Sequence, residues 1–216
     1  MLSFAEEIYL LALDDVTGKI ILSSQDAVFD SVLVGAVLSE LAFLSKIDND
    51  NENILFLNTD AVGVPVLDMA LGMFKKSEKQ EASIQRCLQV LLPHAKELEK
   101  MVIDGLAKKG IVKKVEEKIL WIFPSRRYPI IDNKEITDVE TRLKHLVLSD
   151  EIPDPRDAVL VSLVDASGLF KEILSPREQR RAEGRIQQLS MLDLVGQKVN
   201  EMICQIRDFA NMPPFV

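Results

Sequence analysis

Residues 26–45 carry apolar side chains on nearly every face of a helix: Val28, Phe29, Val32, Leu33, Val34, Val37, Leu38, Leu41, Phe43 and Leu44. A helix with a single apolar stripe lies on a surface, whereas one that is apolar all round must be enclosed. The rest of the chain must therefore supply elements to surround it. With 216 residues and 47% hydrophobic content it can do so, either as one domain or as two small lobes. Aromatic residues make up only 6%, so the packing falls to Leu, Ile, Val and Ala, a composition that favours helices. Glu40 is the one late acid of the run; a buried, paired carboxylate is one reading, and a boundary residue reaching solvent is the one expected.

Helical periodicity recurs along the chain. Ser3 and Glu6 have capping-box spacing ahead of Ile8, Leu10, Leu11 and Leu13, which predicts a helix over 4–14. A turn at 15–18 and a short strand at 19–22 follow. Ile47 and 54–57 flank a polar tip and read as a hairpin. Val66, Met69, Ala70 and Met73 share one helical face, and 75–80 is a polar break. From Glu81 the stripe Ile84, Leu88, Leu91 is helical. Pro93 forces a kink or restart, and the stripe resumes at Ala95, Leu98, Val102 and Leu106 to end at Gly110. Residues 111–115 and 119–123, with a tip at 116–118, predict a second hairpin. Leu41-Ala42 precedes Ile54-Leu55 by the same offset as Leu106-Ala107 precedes Ile119-Leu120, a helix–strand–tip–strand order of winged-helix type used twice. Four further helical stripes, one opening on Ser175-Pro176-Arg177-Glu178, complete the chain. The expected fold is mainly α: a helical bundle around a buried central helix with peripheral β-hairpins, read as one domain over 1–216.

Chemical motifs are absent. His94 and His145 stand in no metal-ligand spacing, and there is no phosphate-binding loop, dinucleotide fingerprint or nucleophile elbow. The carboxylates are scattered, as expected of solvated helix faces. Cys87 and Cys204 sit in apolar helical patterns and read as buried free thiols. The expectation is a non-enzymatic protein without cofactor or metal. A net charge of −8 argues against nucleic acid as a partner. No apolar run is long enough to span a bilayer and the N-terminus lacks a signal-peptide pattern, so a cytoplasmic location is expected.

Charge is nevertheless uneven. Residues 96–127 hold nine basic residues against five acidic ones, among them Lys96, Lys100, Arg126 and Arg127. The same stretch carries Ile119, Leu120 and Trp121, the last being the only tryptophan. Basic residues beside apolar and Trp side chains suit an anionic membrane interface, where each lysine contributes about 1 kcal/mol and the indole sits at head-group depth. The same pattern also fits a buried strand with solvated lysines, or a hairpin that self-associates or docks a partner.

Several segments, in order, resemble a known family. LSFAEEIYLLALDDVTGKI, SVLVGAVLSELAFLSKI, GLAKKGIV, ILWIF, YPIID and PDPRDAVLVSLVDASGLFKEIL are similar to successive segments of the Golgi phosphoprotein 3 family, in its shorter, bacterial type. The resemblance implies a helical domain that binds phosphatidylinositol 4-phosphate as a peripheral membrane protein. It also implies an adaptor role toward short cytoplasmic protein tails. The family's head-group pocket takes a Trp before the central helix, an Arg on it, and two basic residues one turn apart on the helix before the hairpin. Here those places hold Ser24 or Gln25, Val34, Lys96 and Glu99, so Lys96 alone is kept. With Lys96, the residues expected to meet the head group are Lys100, Arg126 and Arg127. Ile119 and Leu120 match positions the family uses for membrane insertion or self-association, and Trp121 extends that strip.

Overall fold

A computed structural model describes residues 1–14, 19–21, 26–50, 53–76, 81–113, 115–117, 125–127, 130–131 and 134–210. The chain is mainly helical. Ser3 accepts from the Glu6 amide and Glu6 returns a bond to Ser3, so the capping box starts α1 (Phe4–Leu11) as its spacing predicts. The helix is shorter than expected. After it, among the described residues of the expected strand, Ile20 makes an isolated bridge with Leu13; residue 22 and the expected turn at 15–18 lie outside the described residues.

The apolar run becomes α2 (Asp26–Phe43), which packs against α1, α3 (Pro65–Lys75), α4 (Ile84–Leu91), α5 (Ala95–Lys108), α7 (Pro155–Ser167) and α10 (Leu194–Ala210). Val32, Leu33, Val34, Val37, Leu38 and Leu41 are fully buried. Gly35 lets this packing close, because a β-carbon there would collide with Val199 Cγ2 of α10. Pro93 produces the predicted restart as one 3-10 turn (Leu92–His94) between α4 and α5. Ser175 and Glu178 cap α9 (Pro176–Ser190), which packs on α6 (Lys134–Leu148), α7 and the short α8 (Phe170–Ile173).

The strands depart from expectation. β1 (Ile47–Asp50) and β2 (Asn53–Phe56) form the first hairpin, but β3 (Glu81–Ser83) adds to β2, making a three-stranded antiparallel sheet. Residues 81–83 were expected to be helical; their pairing with Asn53, Ile54 and Leu55 overrides local preference. In the second hairpin β4 (Val115–Glu117) pairs with β5 (Ser125–Arg127), register Val115↔Arg127 and Glu117↔Ser125. Glu116 and Glu117, expected at the tip, are therefore strand residues. The expected strand 119–123 lies outside the described residues. The two hairpins are not equivalent among the described residues: one takes a third strand, the other has two.

Candidate functional site

The second hairpin grows from the end of α5, and the geometry of that junction is well defined. Gly110 adopts φ 73°, a left-handed conformation that costs a β-carbon-bearing residue about 1–2 kcal/mol. This lets the Gly110 amide reach Ala107 O (3.0 Å) and the Ile111 amide reach Leu106 O (3.0 Å), the paired bonds of a Schellman stop. The chain then turns outward, and Val112 bridges Ile130 at the base of the hairpin. Just before the stop, Lys109 Nζ donates to Glu6 Oε2 at 2.6 Å, pinning the junction to the start of α1. Glu6 also accepts from the Ser3 amide at 2.8 Å. Gly105 leaves room for this carboxylate, since a β-carbon there would stand 3.2 Å from Glu6 Oε1.

Lys96 and Lys100 lie near the other end of α5, whose 14 residues span about 21 Å. Lys96 Nζ lies 3.1 Å from Asp30 Oδ1 and 3.4 Å from Glu99 Oε2. Lys96, expected from the resemblance to meet a head group, is thus held between two largely shielded carboxylates, a cluster of net negative sign. Glu99 was visible as a neighbour of Lys96; Asp30 was not, because it arrives through the packing of α2 on α5. By contrast Lys100, Lys108 and Lys113 are exposed and enter no ion pair among the described residues. Arg126 and Arg127 are placed by the backbone on β5, opposite Glu116 and Val115. Their side chains, and Ile119, Leu120 and Trp121 altogether, lie outside the described residues.

The carboxylates are less scattered than the sequence suggests. Glu40, expected at a solvent boundary, is largely buried and paired: it accepts from the Phe4 amide (2.7 Å) and from Arg156 Nη1 and Nη2 (3.3 Å each). Arg156 also donates to Leu2 O at 2.7 Å and stacks 4.0 Å from the Phe4 ring centroid. Glu7, 3% exposed, bridges Arg156 (3.4 Å) and Arg142 (2.7 Å), and Arg142 Nε meets Asp157 at 2.7 Å. Burial alone would lower the Arg142 pKa; Glu7 and Asp157 outweigh it and hold the guanidinium above its ordinary value. Four helices and the N-terminal residues are joined by these charges, which had no sequence signal beyond the acids themselves.

Above this cluster is a cleft of about 520 Å³ between the start of α1, the end of α2, the start of α3 and the second half of α5. A second cavity, about 450 Å³, reaches Cys87. Burial pushes the Cys87 thiol up to about 12, against a smaller opposing effect of Arg86, so it stays protonated and is no nucleophile at neutral pH. The Cys204 side chain lies outside the described residues. Both histidines are exposed, His94 standing 3.9 Å from Glu97 and His145 3.6 Å from Glu151. No helix among the described residues is long and apolar enough to cross a membrane.

The described residues thus combine a mainly helical fold with a hairpin-bearing edge that carries exposed lysines. The model of one family, Golgi phosphoprotein 3 (GPP34), matches residues 4–206, nearly the whole chain. The chain is a member of the Golgi phosphoprotein 3 family. No curated protein matches it.

Proposed function

We propose that this protein is a non-enzymatic peripheral membrane adaptor that docks on anionic phospholipid surfaces through the α5–hairpin edge. It does so without a selective grip on phosphatidylinositol 4-phosphate. Family membership over residues 4–206 carries the reading. Lys100, Lys108 and Lys113, exposed and in no ion pair among the described residues, supply the attraction, and Arg126 and Arg127 on β5 add to it; Ile119, Leu120 and Trp121 are the residues expected from the sequence to enter the interface. Loss of specificity follows from Lys96. A cation already between Asp30 and Glu99 has little left for a phosphate, and a single ammonium lacks the forked geometry of arginine. Once docked on the cytoplasmic face, the domain presents its acidic remainder to protein tails.

Flotation of the full chain with phosphatidylcholine vesicles, plain or doped with phosphatidylserine, tests this. Binding should require the anionic lipid and fade as salt is raised. Replacing part of the phosphatidylserine by phosphatidylinositol 4-phosphate at matched charge should add nothing. Absence of binding to every anionic vesicle at low salt would sink the membrane reading. Marked preference for the phosphoinositide would sink the account of Lys96.

A further inference from the structure

The cleft between α1, α2, α3 and α5 has the make-up of a ligand site, and its volume of about 520 Å³ falls within the range of small-molecule pockets. Its walls are mostly apolar: Leu2, Leu44, Val64, Val66, Met101 and Val102. Leu44 and Val64 remain 45% and 40% exposed, so apolar surface is left open to solvent at this place. The charges in the wall are largely used. Glu6 is paired with Lys109, and Glu40 with Arg156. Beside the Met1 ammonium, two lining side chains remain, Asp104 and Lys108, and neither enters an ion pair or side-chain hydrogen bond among the described residues. They are four positions apart on α5, which brings their side chains together on one helix face.

We infer that this cleft binds a single acyl chain of a zwitterionic phospholipid, with the ammonium of the head group on Asp104 and the phosphate on Lys108. The charge pattern selects the head. An anionic lipid would satisfy Lys108 and face Asp104 with a like charge; an uncharged glyceride would leave both unused. A peptide is a poorer occupant, because no lining residue lies on a strand and an extended chain finds no edge to pair with. Lys108 and Lys109 line the cleft at the root of the hairpin, so its mouth adjoins the edge assigned to the membrane. The inference rests on that assignment for its source of lipid.

Calorimetric titration of the full chain with lysophosphatidylethanolamine, below its micelle concentration, is the test. One lysolipid per chain should bind. At the same chain length lysophosphatidic acid should bind about tenfold more weakly, the worth of one charge-assisted contact, and monoacylglycerol, which loses both, about a hundredfold. Leu44→Glu, at a half-exposed position, should abolish uptake. Asp104→Asn with Lys108→Gln, both on the surface of α5, should lower affinity about a hundredfold and erase the head-group preference. Circular dichroism of each variant checks that it is folded. Uptake unchanged by Leu44→Glu, equal binding of all three lipids, or binding of an apolar peptide in place of the lysolipid overturns the inference. If the lysolipid fails while anionic vesicles still bind, this inference falls alone; if both fail, the membrane reading falls with it.

Discussion

Replacing Arg156 by methionine keeps most of the side-chain bulk over Phe4 but removes the charge that holds the N-terminal residues to α2 and α7. The guanidinium is only 13% exposed and serves Glu40, Glu7 and Leu2 O at once. The losses are unequal. Glu7 keeps Arg142 at 2.7 Å, while Glu40 is left with the Phe4 amide as its partner among the described residues. Breaking a buried pair by removing one partner costs about 3–5 kcal/mol. Because one of the two carboxylates keeps a cation, the cost here should lie near the lower end, about 3 kcal/mol. Urea denaturation at neutral pH measures it. Glu40→Gln destabilises the parent chain, but in the Arg156→Met background it removes the stranded charge and should recover about 1–2 kcal/mol. A loss under about 1 kcal/mol for Arg156→Met, or two substitutions that simply add, would refute the assignment of Arg156 as the cation that makes Glu40 tolerable inside the protein.

Two other expectations concern packing and pH. Gly35→Ala drives a methyl group into Val199 and Leu163 and should cost about 1–3 kcal/mol, seen as a lower denaturation midpoint with unchanged slope. Asp193, which accepts from the Val195 and Gly196 amides, is raised by burial from 3.8 to about 6. The folded chain thus keeps a proton that the unfolded chain releases across that window, so stability falls as pH rises from about 4 to about 6 and is flat above. Asp193→Asn keeps one of the two accepted amide bonds and removes the titration, so the variant is offset in stability at every pH while its pH dependence is lost. The difference between parent and variant should change by up to about 3 kcal/mol over those pH values; parallel pH profiles would show that Asp193 does not titrate in this way.

What could be read from the sequence was local. Ser3 with Glu6 and Ser175 with Glu178 announce helix starts, because the cap and its partner lie three residues apart. Pro93 and Gly110 act through their own backbone restrictions, and the apolar run of α2 declares its burial directly. The failures involve partners supplied by distant segments. Glu40 and Arg156 are 116 positions apart, and nothing near Glu40 marks it as paired. Residues 81–83 have no strand pattern and extend only because β2 offers an edge. In the second hairpin Glu116 and Glu117, expected at the tip, are strand residues because they pair with Arg126 and Ser125 across the chain; the expected strand 119–123 lies outside the described residues. The cleft was invisible for the same reason, since four helices contribute to it and none carries a signature.

The carboxylate of Glu6 closes the cap of α1 and receives Lys109 at the root of the hairpin, while Gly105 leaves it space. Aspartate would be a methylene too short to serve both ends, a larger residue at 105 would displace it, and a neutral residue at 109 would strand it. As sequences of this fold drift, positions 6, 105 and 109 should therefore change as a set or hardly at all. Their joint history would record whether the hairpin is held rigidly against the body of the protein or left to swing.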